Sequence, residues 1–228
     1  MPHQGPLRWL DGHGWLVLLG DDAPDAEADA IAARVLILAN LDRPMVVLSA
    51  DDAPRQAEAV LERYTRLGGP GGEAFSRSAL TPALLSSPRF LDLLSEAGIL
   101  YLGGGDPIPL VSALHQTPAL ARIVKGFSTL QGLIIIGADG GASALGTRAV
   151  GPPPEWPIAI GLGFLLNTVI VPRFTRTADS PVLTQLDQIG PSVLGLGIPQ
   201  DTALALGPAG QVETWGAGEV TAVVSTEI

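Results

Sequence analysis

The sequence predicts an α/β fold: a doubly wound, mostly parallel sheet with an antiparallel C-terminal edge. Short, continuously apolar runs read as strands whose faces are both covered. These runs alternate with helical segments as far as residue 146, which is the pattern of parallel strands joined by crossovers. The last part of the chain is strand-rich and carries a hairpin turn at Gly207, Pro208, Ala209 and Gly210, so it supplies the antiparallel edge. The 228 residues are read as one domain, 1–228, with no internal repeat.

The first run, Trp15 to Gly20, is a strand ending in glycine. Asp21, Asp22, Asp25 and Glu27 suit the first turn of the helix that follows, which runs to Ala39. Met45–Ser49 is the second strand, and Asp51, Asp52 and Pro54 open a helix that runs to Leu67. The glycine-rich stretch 68–72 is a loop, Ala74–Arg77 a short strand, and Pro88–Ala97 a helix stopped by Gly98. Ile99–Leu102 is a strand that runs into Gly103, Gly104, Gly105 and Asp106, followed by one helix over Pro107–Lys125. Gln131–Ile136 is a strand ending in Gly137, Ala138, Asp139, Gly140 and Gly141, which open a short alanine-rich helix. Strands are expected near 168–171, 193–198, 203–206, 212–215 and 220–225.

Composition narrows the function. Apolar residues make up 46% of the chain and charged residues 16%, against an average of about 25% charged. Such a chain folds. The absence of cysteine excludes disulfides, thiolate metal sites and a cysteine nucleophile. A net charge of -10, with a single lysine at Lys125, argues against nucleic acid as a partner. The longest apolar stretch, 157–171, contains Asn167, Gly161 and Gly163 and is shorter than the ~20 residues that span a bilayer. With no apolar signal core at the start, the expectation is a cytoplasmic protein with no membrane partner.

Chemistry in a doubly wound sheet collects at the carboxyl ends of strands. The segment Gly137-Ala-Asp-Gly-Gly141 has the form of a nucleophile elbow, G-x-Nuc-x-G, with Asp139 where a serine or cysteine is usual. The paired acids at Asp21–Asp22 and Asp51–Asp52 are explained by helix starts, so neither a metal nor any other cofactor is expected. The 103–106 turn has no lysine and does not satisfy G-x-G-x-x-G, which argues against a phosphate cradle. His3 and His13 precede the first strand and are read as solvated. His115 is well into a helix and reads as a surface or partner-contact residue.

Several segments, in order, resemble the peptidase E/cyanophycinase family, serine hydrolases of the flavodoxin-like, class I glutamine amidotransferase-like fold. The opening strand with Gly20, then Ser49 and Ala50, matches the family's start. Residues 100–106, LYLGGGD, resemble F-x-G-G-[ND]-Q, and 137–142, GADGGA, resemble the G-T-S-A-G-A elbow. Residues 161–166, GLGFLL, resemble the G-L-G-L-L that precedes D-x-H-F, and 195–203, GLGIPQDTA, resemble G-I-G-I-D-E-x-T-A. The resemblance implies a backbone oxyanion hole at Gly104, Gly105 and Gly140, aspartyl peptides as the substrate class, and a homodimer.

The same comparison places substitutions at all three triad positions. Asp139 stands for the serine, Arg173 before Phe174 for the histidine, and Gln200 for the acid. Pro107 replaces the glutamine after G-G-[ND], and Val171 the aspartate of D-x-H-F. Acyl transfer needs a nucleophile and a base that exchanges a proton near neutral pH. An arginine, with a pKa above about 12, is no such base. Asp139 and Arg173 are instead expected to form a charge-assisted pair.

The reading is therefore a catalytically inactive pseudohydrolase with a binding or scaffold role. One alternative is an active serine-type peptidase that works through other residues, such as Ser143. Another is a sensor that grips an amino acid or dipeptide between Asp139 and Arg173. Asp106, Ser143 and Arg176 are further candidates for ligand binding, and Arg148 is another arginine near the expected cleft.

Overall fold

Leu16–Leu19 (β2), Met45–Ser49 (β3), Ile99–Gly103 (β5) and Ile134–Ala138 (β6) are buried at every residue in the computed structural model, which describes residues 6–21, 26–129, 132–175 and 193–224. The burial has a period of two. Leu16, Leu18, Val46, Leu48, Leu100, Leu102 and Ile135 join one apolar cluster. Val17, Leu19, Met45, Val47, Ile99, Tyr101, Ile134 and Ile136 join another on the opposite face. Successive side chains of a strand point to opposite faces, so a strand covered on both sides reads as an unbroken apolar run.

The remaining elements follow in chain order. Before β3 come β1 (Arg8–Trp9) and α1 (Ala26–Leu38). Between β3 and β5 lie α2 (Pro54–Arg66), β4 (Gly72–Phe75), α3 (Pro82–Leu85) and α4 (Pro88–Glu96). Then come α5 (Pro107–His115) and α6 (Ala119–Ser128), and after β6 the short α7 (Gly140–Ala144). The chain continues with β7 (Arg148–Val150), β8 (Ile158–Ile160), β9 (Leu165–Leu166) and β10 (Thr168–Pro172). It ends in β11 (Leu194–Ile198), β12 (Thr202–Leu206), β13 (Val212–Gly216) and β14 (Thr221–Val224).

The main sheet has seven strands in the order β13-β12-β2-β6-β5-β3-β4. The five from β2 to β4 are parallel, while β12 runs antiparallel to β2 and to β13. Helices α1 and α2 cover one face through Ile31, Val35, Val60 and Tyr64. On the other face, α4, α5 and α6 contribute Phe90, Leu94, Leu110, Leu114, Ile123 and Phe127. A doubly wound α/β sheet with an antiparallel edge is what the apolar runs predict, and the flavodoxin-like arrangement is what the family resemblance implies.

The structure corrects two details. The helix expected over 107–125 is broken into α5 and α6. Pro118 disfavours the helical conformation at Thr117, and Thr117 Oγ1 donates to Ala113 O at 3.0 Å, closing the first helix. The expected strands near 168–171 and 193–198 also leave the main sheet. They form the parallel pair at the centre of a second, five-stranded sheet, β14-β11-β10-β7-β8. Because β12 pairs with β2 and closes that edge, β10 and β11 are excluded from it. They pack on the main core through Ile170, Leu196 and Ile198 instead. Gly197 permits this, since a Cβ there would collide with the Phe174 ring.

Candidate functional site

The parallel strands deliver four loops to one edge of the main sheet. Asp21 follows β2, Asp51 follows β3, Gly104 and Gly105 follow β5, and Asp139 follows β6. The second sheet brings Arg173 from the end of β10 and Gln200 from the end of β11 to the same place.

Asp139 has φ 51° and ψ −122°, a conformation that side chains other than hydrogen rarely adopt. Its amide donates to Leu19 O at 3.2 Å, and its carbonyl accepts from Ala142 N at 2.9 Å. Close packing enforces the bend. A Cβ at Gly140 would collide with the Gly105 carbonyl, and one at Gly141 with the Leu102 carbonyl. The elbow read from the glycine spacing is therefore a backbone fact, and it presents a carboxylate.

Arg173 also has positive φ, 52°, with its amide donating to Gly20 O at 3.0 Å. Its Nη2 lies 3.0 Å from Asp139 Oδ2 and 3.2 Å from Asp21 Oδ1. Gln200 Nε2 donates to Asp21 Oδ2 at 3.0 Å. Asp21 thus ties Arg173 to Gln200 by hydrogen bonds, and the ion pair of Arg173 with Asp139 extends the chain to the elbow. The Arg173 side chain is 52% exposed, that of Asp139 20% and that of Asp21 11%. Solvent screening of the guanidinium keeps the pair's contribution to stability at about 1 kcal/mol or less.

These groups line an open cleft of about 750 Å³. Helix α2 forms another wall through Arg63 and Arg66. Arg66 Nη2 donates to both carboxylate oxygens of Asp29 at 3.0 Å, and the buried Arg63 has Nε 4.0 Å from Asp29 Oδ1. Beside Arg63, burial pushes the Tyr64 phenol well above its ordinary pKa, against the lowering effect of the Arg63 charge.

Of the remaining sequence-derived candidates, Gly104 lines the cleft. Gly105 packs behind it, and both have positive φ, 64° and 51°. Gly140 abuts their carbonyls. Asp106 and Ser143, expected as ligand-binding residues, are not among those that line this cleft. Asp106 caps α5, its Oδ1 accepting from Ile108 N at 3.0 Å. Ser143 is 1% exposed, and its hydroxyl is fixed on Val150, donating to O at 3.1 Å and accepting from N at 2.8 Å. The pairing needs of β7 account for both bonds. Arg176 and His3 lie outside the described residues. Arg148 and His13 are exposed. His115 is exposed too, with Nε2 2.9 Å from Gly161 O, far along α5 from the glycine turn. Among the described residues no group of three or more His, Cys, Asp or Glu side chains is arranged to hold a metal ion. Among them, too, no helix is long and apolar enough to cross a membrane.

Sequence reasoning missed Asp21 and Asp51 as cleft residues, having assigned both to helix starts, and it passed over Arg63 and Arg66. A signal for the acids was present, since each directly follows a buried strand of the parallel set. The arginines carried only a three-residue spacing on α2, shared with many solvated helix faces.

In fold, and over part of its sequence, the chain is similar to peptidase E and cyanophycinase proteins. No family model matches the chain. Cyanophycinases from Trichormus variabilis and Nostoc sp. are each 28% identical to it over 137 residues, covering 57% of this chain and 46% of theirs. The Synechococcus elongatus cyanophycinase is 29% identical over 144 residues, covering 59% and 44%. The match thus spans less than half the length of these relatives. Among solved structures, a peptidase from an acI-B1 Actinobacterium superposes with a TM-score of 0.71 at 22% identity, covering 95% of this chain and 97% of that one. A Listeria monocytogenes structure assigned to peptidase E gives 0.61 at 14% identity, covering 90% and 99%. At these identities the structural likeness speaks for the fold.

Proposed function

We propose that this protein binds a small charged ligand in the cleft and does not hydrolyse it. The observation that carries this reading is the 3.0 Å ion pair between Asp139 and Arg173 where the family resemblance puts serine and histidine. A guanidinium does not give up a proton near neutral pH, so Arg173 neither activates a nucleophile nor returns a proton to a leaving group. Asp139 as a carboxylate nucleophile would form an ester that a base-activated water must break. None of the groups in the Asp139–Arg173–Asp21–Gln200 chain is a histidine. The Asp139 carboxylate also stands beside the Gly140 amide, where it repels a developing oxyanion.

The cleft is shaped for binding. Its volume lies within the roughly 300–1,000 Å³ typical of small-molecule sites, and Arg173 is half-exposed in it. A purely structural ion pair needs no open space around it. The mixture of carboxylates and guanidiniums favours a ligand with both charges, such as an amino acid or dipeptide.

The test is hydrolysis of β-aspartyl and N-terminal α-aspartyl dipeptides and of cyanophycin by purified protein, with Asp139→Ala and Ser143→Ala alongside. The expected result is no turnover above background for any of the three. Turnover by the wild type that either substitution abolishes would overturn the proposal and identify the residue responsible.

A further inference from the structure

The resemblance to a hydrolase leads one to expect an anion hole at the Gly104–Gly105 turn. The charges in this structure are arranged for the opposite. Asp51 lines the cleft, and its carboxylate packs directly on the turn, so that a Cβ at either glycine would run into it. Its neighbouring acids are engaged: Asp21 and Asp139 with Arg173, and Asp29 with Arg66. The Asp51 backbone amide donates to Ser49 Oγ at 3.1 Å and its carbonyl accepts from Arg77 N. Among the described residues its carboxylate has neither a hydrogen-bond nor an ion-pair partner.

The formal charges differ along the cleft. Among the described residues, the elbow end sets the carboxylates of Asp21, Asp51 and Asp139 against the guanidinium of Arg173. On the α2 wall, Arg63 and Arg66 both stand against Asp29, and Glu62 lines the cleft beside them. The two charged regions belong to one continuous cleft.

We propose that Asp51 is the specificity-determining residue of the cleft, recognising its ligand through a cationic group, a primary ammonium or a guanidinium, docked at the Gly104–Gly105 turn. A carboxylate on the same ligand points to Arg63 and Arg66. The proposal rests on the reading of the cleft as a small-molecule site and adds the ligand's chemical class and orientation. It assigns the turn to a cation, where hydrolysis would need the same turn to hold an oxyanion.

The experiment is calorimetric or NMR titration of the full chain with three probes at up to millimolar concentration. Agmatine carries cationic groups only, L-ornithine both charges, and succinate carboxylates only. Agmatine and ornithine are expected to bind and succinate to bind at least about tenfold more weakly. Asp51→Asn, which keeps the shape of the side chain, is expected to weaken agmatine about tenfold or more, the loss of one charge-assisted contact. Arg66→Gln is expected to weaken ornithine and leave agmatine unchanged. Succinate binding as tightly as agmatine, or Asp51→Asn leaving agmatine unaffected while its melting temperature matches wild type, would overturn the role of Asp51 and leave the cleft a binding site. No binding by any of the probes to the wild type would overturn both readings.

Discussion

Asp139 shows at the scale of one residue how packing alone can hold a carboxylate in a strained backbone position. Its positive φ is costly for any residue with a Cβ, of the order of 1–3 kcal/mol. The neighbouring glycines and carbonyls hold it there regardless. This cost separates two substitutions that both remove the ion pair to Arg173. Asp139→Gly relieves the strain and Asp139→Ala retains it. The glycine variant gains conformational entropy in its unfolded state, worth about 0.4–1 kcal/mol against it. It is still expected to be the more stable, by about 1 kcal/mol, in denaturant unfolding. An alanine variant of equal or greater stability would mean that the bend is not strained.

At the scale of elements, α2 does two jobs with adjacent side chains. Tyr64 is buried against the sheet, its ring edge-on to Tyr101 with centroids 6.2 Å apart, while Arg63 and Arg66 form the cleft wall. Burial raises the Tyr64 pKa in the folded state above the ordinary value of about 10. The folded protein therefore keeps a proton that the unfolded chain loses, and stability is fully present below pH ~10 and falls as pH rises beyond it. Melting temperatures followed from neutral pH to above pH 10 are expected to drop, and the drop is expected to be smaller in Tyr64→Phe. Equal slopes for the two proteins would exclude Tyr64 as the cause. The same helix shows why the site was only partly legible in the sequence. Strand ends are announced by apolar runs stopping at Gly20, Ser49, Gly103 and Ala138, so the elbow and the glycine turn can be read directly. Which face of α2 meets which loop depends on crossovers between strands distant in sequence, and Arg63 and Arg66 carry no mark of it. Pro118, by contrast, was a local signal that a single helix over 107–125 passed over.

At the scale of the whole molecule, the fold class was legible because both faces of the central strands are covered, and apolar runs that alternate with helical segments are the pattern of a parallel α/β sheet. The partition into two sheets was not. Strands β10, β11 and β12 look alike as apolar segments, and only the pairing of β12 with β2 decides which sheet each joins. That partition places Asp21 and Asp139 on one sheet and Arg173 and Gln200 on the other. Their hydrogen bonds therefore stitch the two layers together at the cleft.

The backbone that aims these groups is independent of what they are. The elbow is fixed by glycine contacts, and Arg173 by its amide on Gly20, so engineering the site is a matter of exchanging side chains on a finished frame. The combined substitution Asp139→Ser, Arg173→His and Gln200→Glu is expected to fold as the parent does and to become covalently labelled at position 139 by a fluorophosphonate, which the parent is not. An unlabelled but folded variant would show that the frame had drifted from a productive geometry. Labelling would mean that the main chain alone holds the geometry of a serine nucleophile, with three side chains standing between this protein and that chemistry.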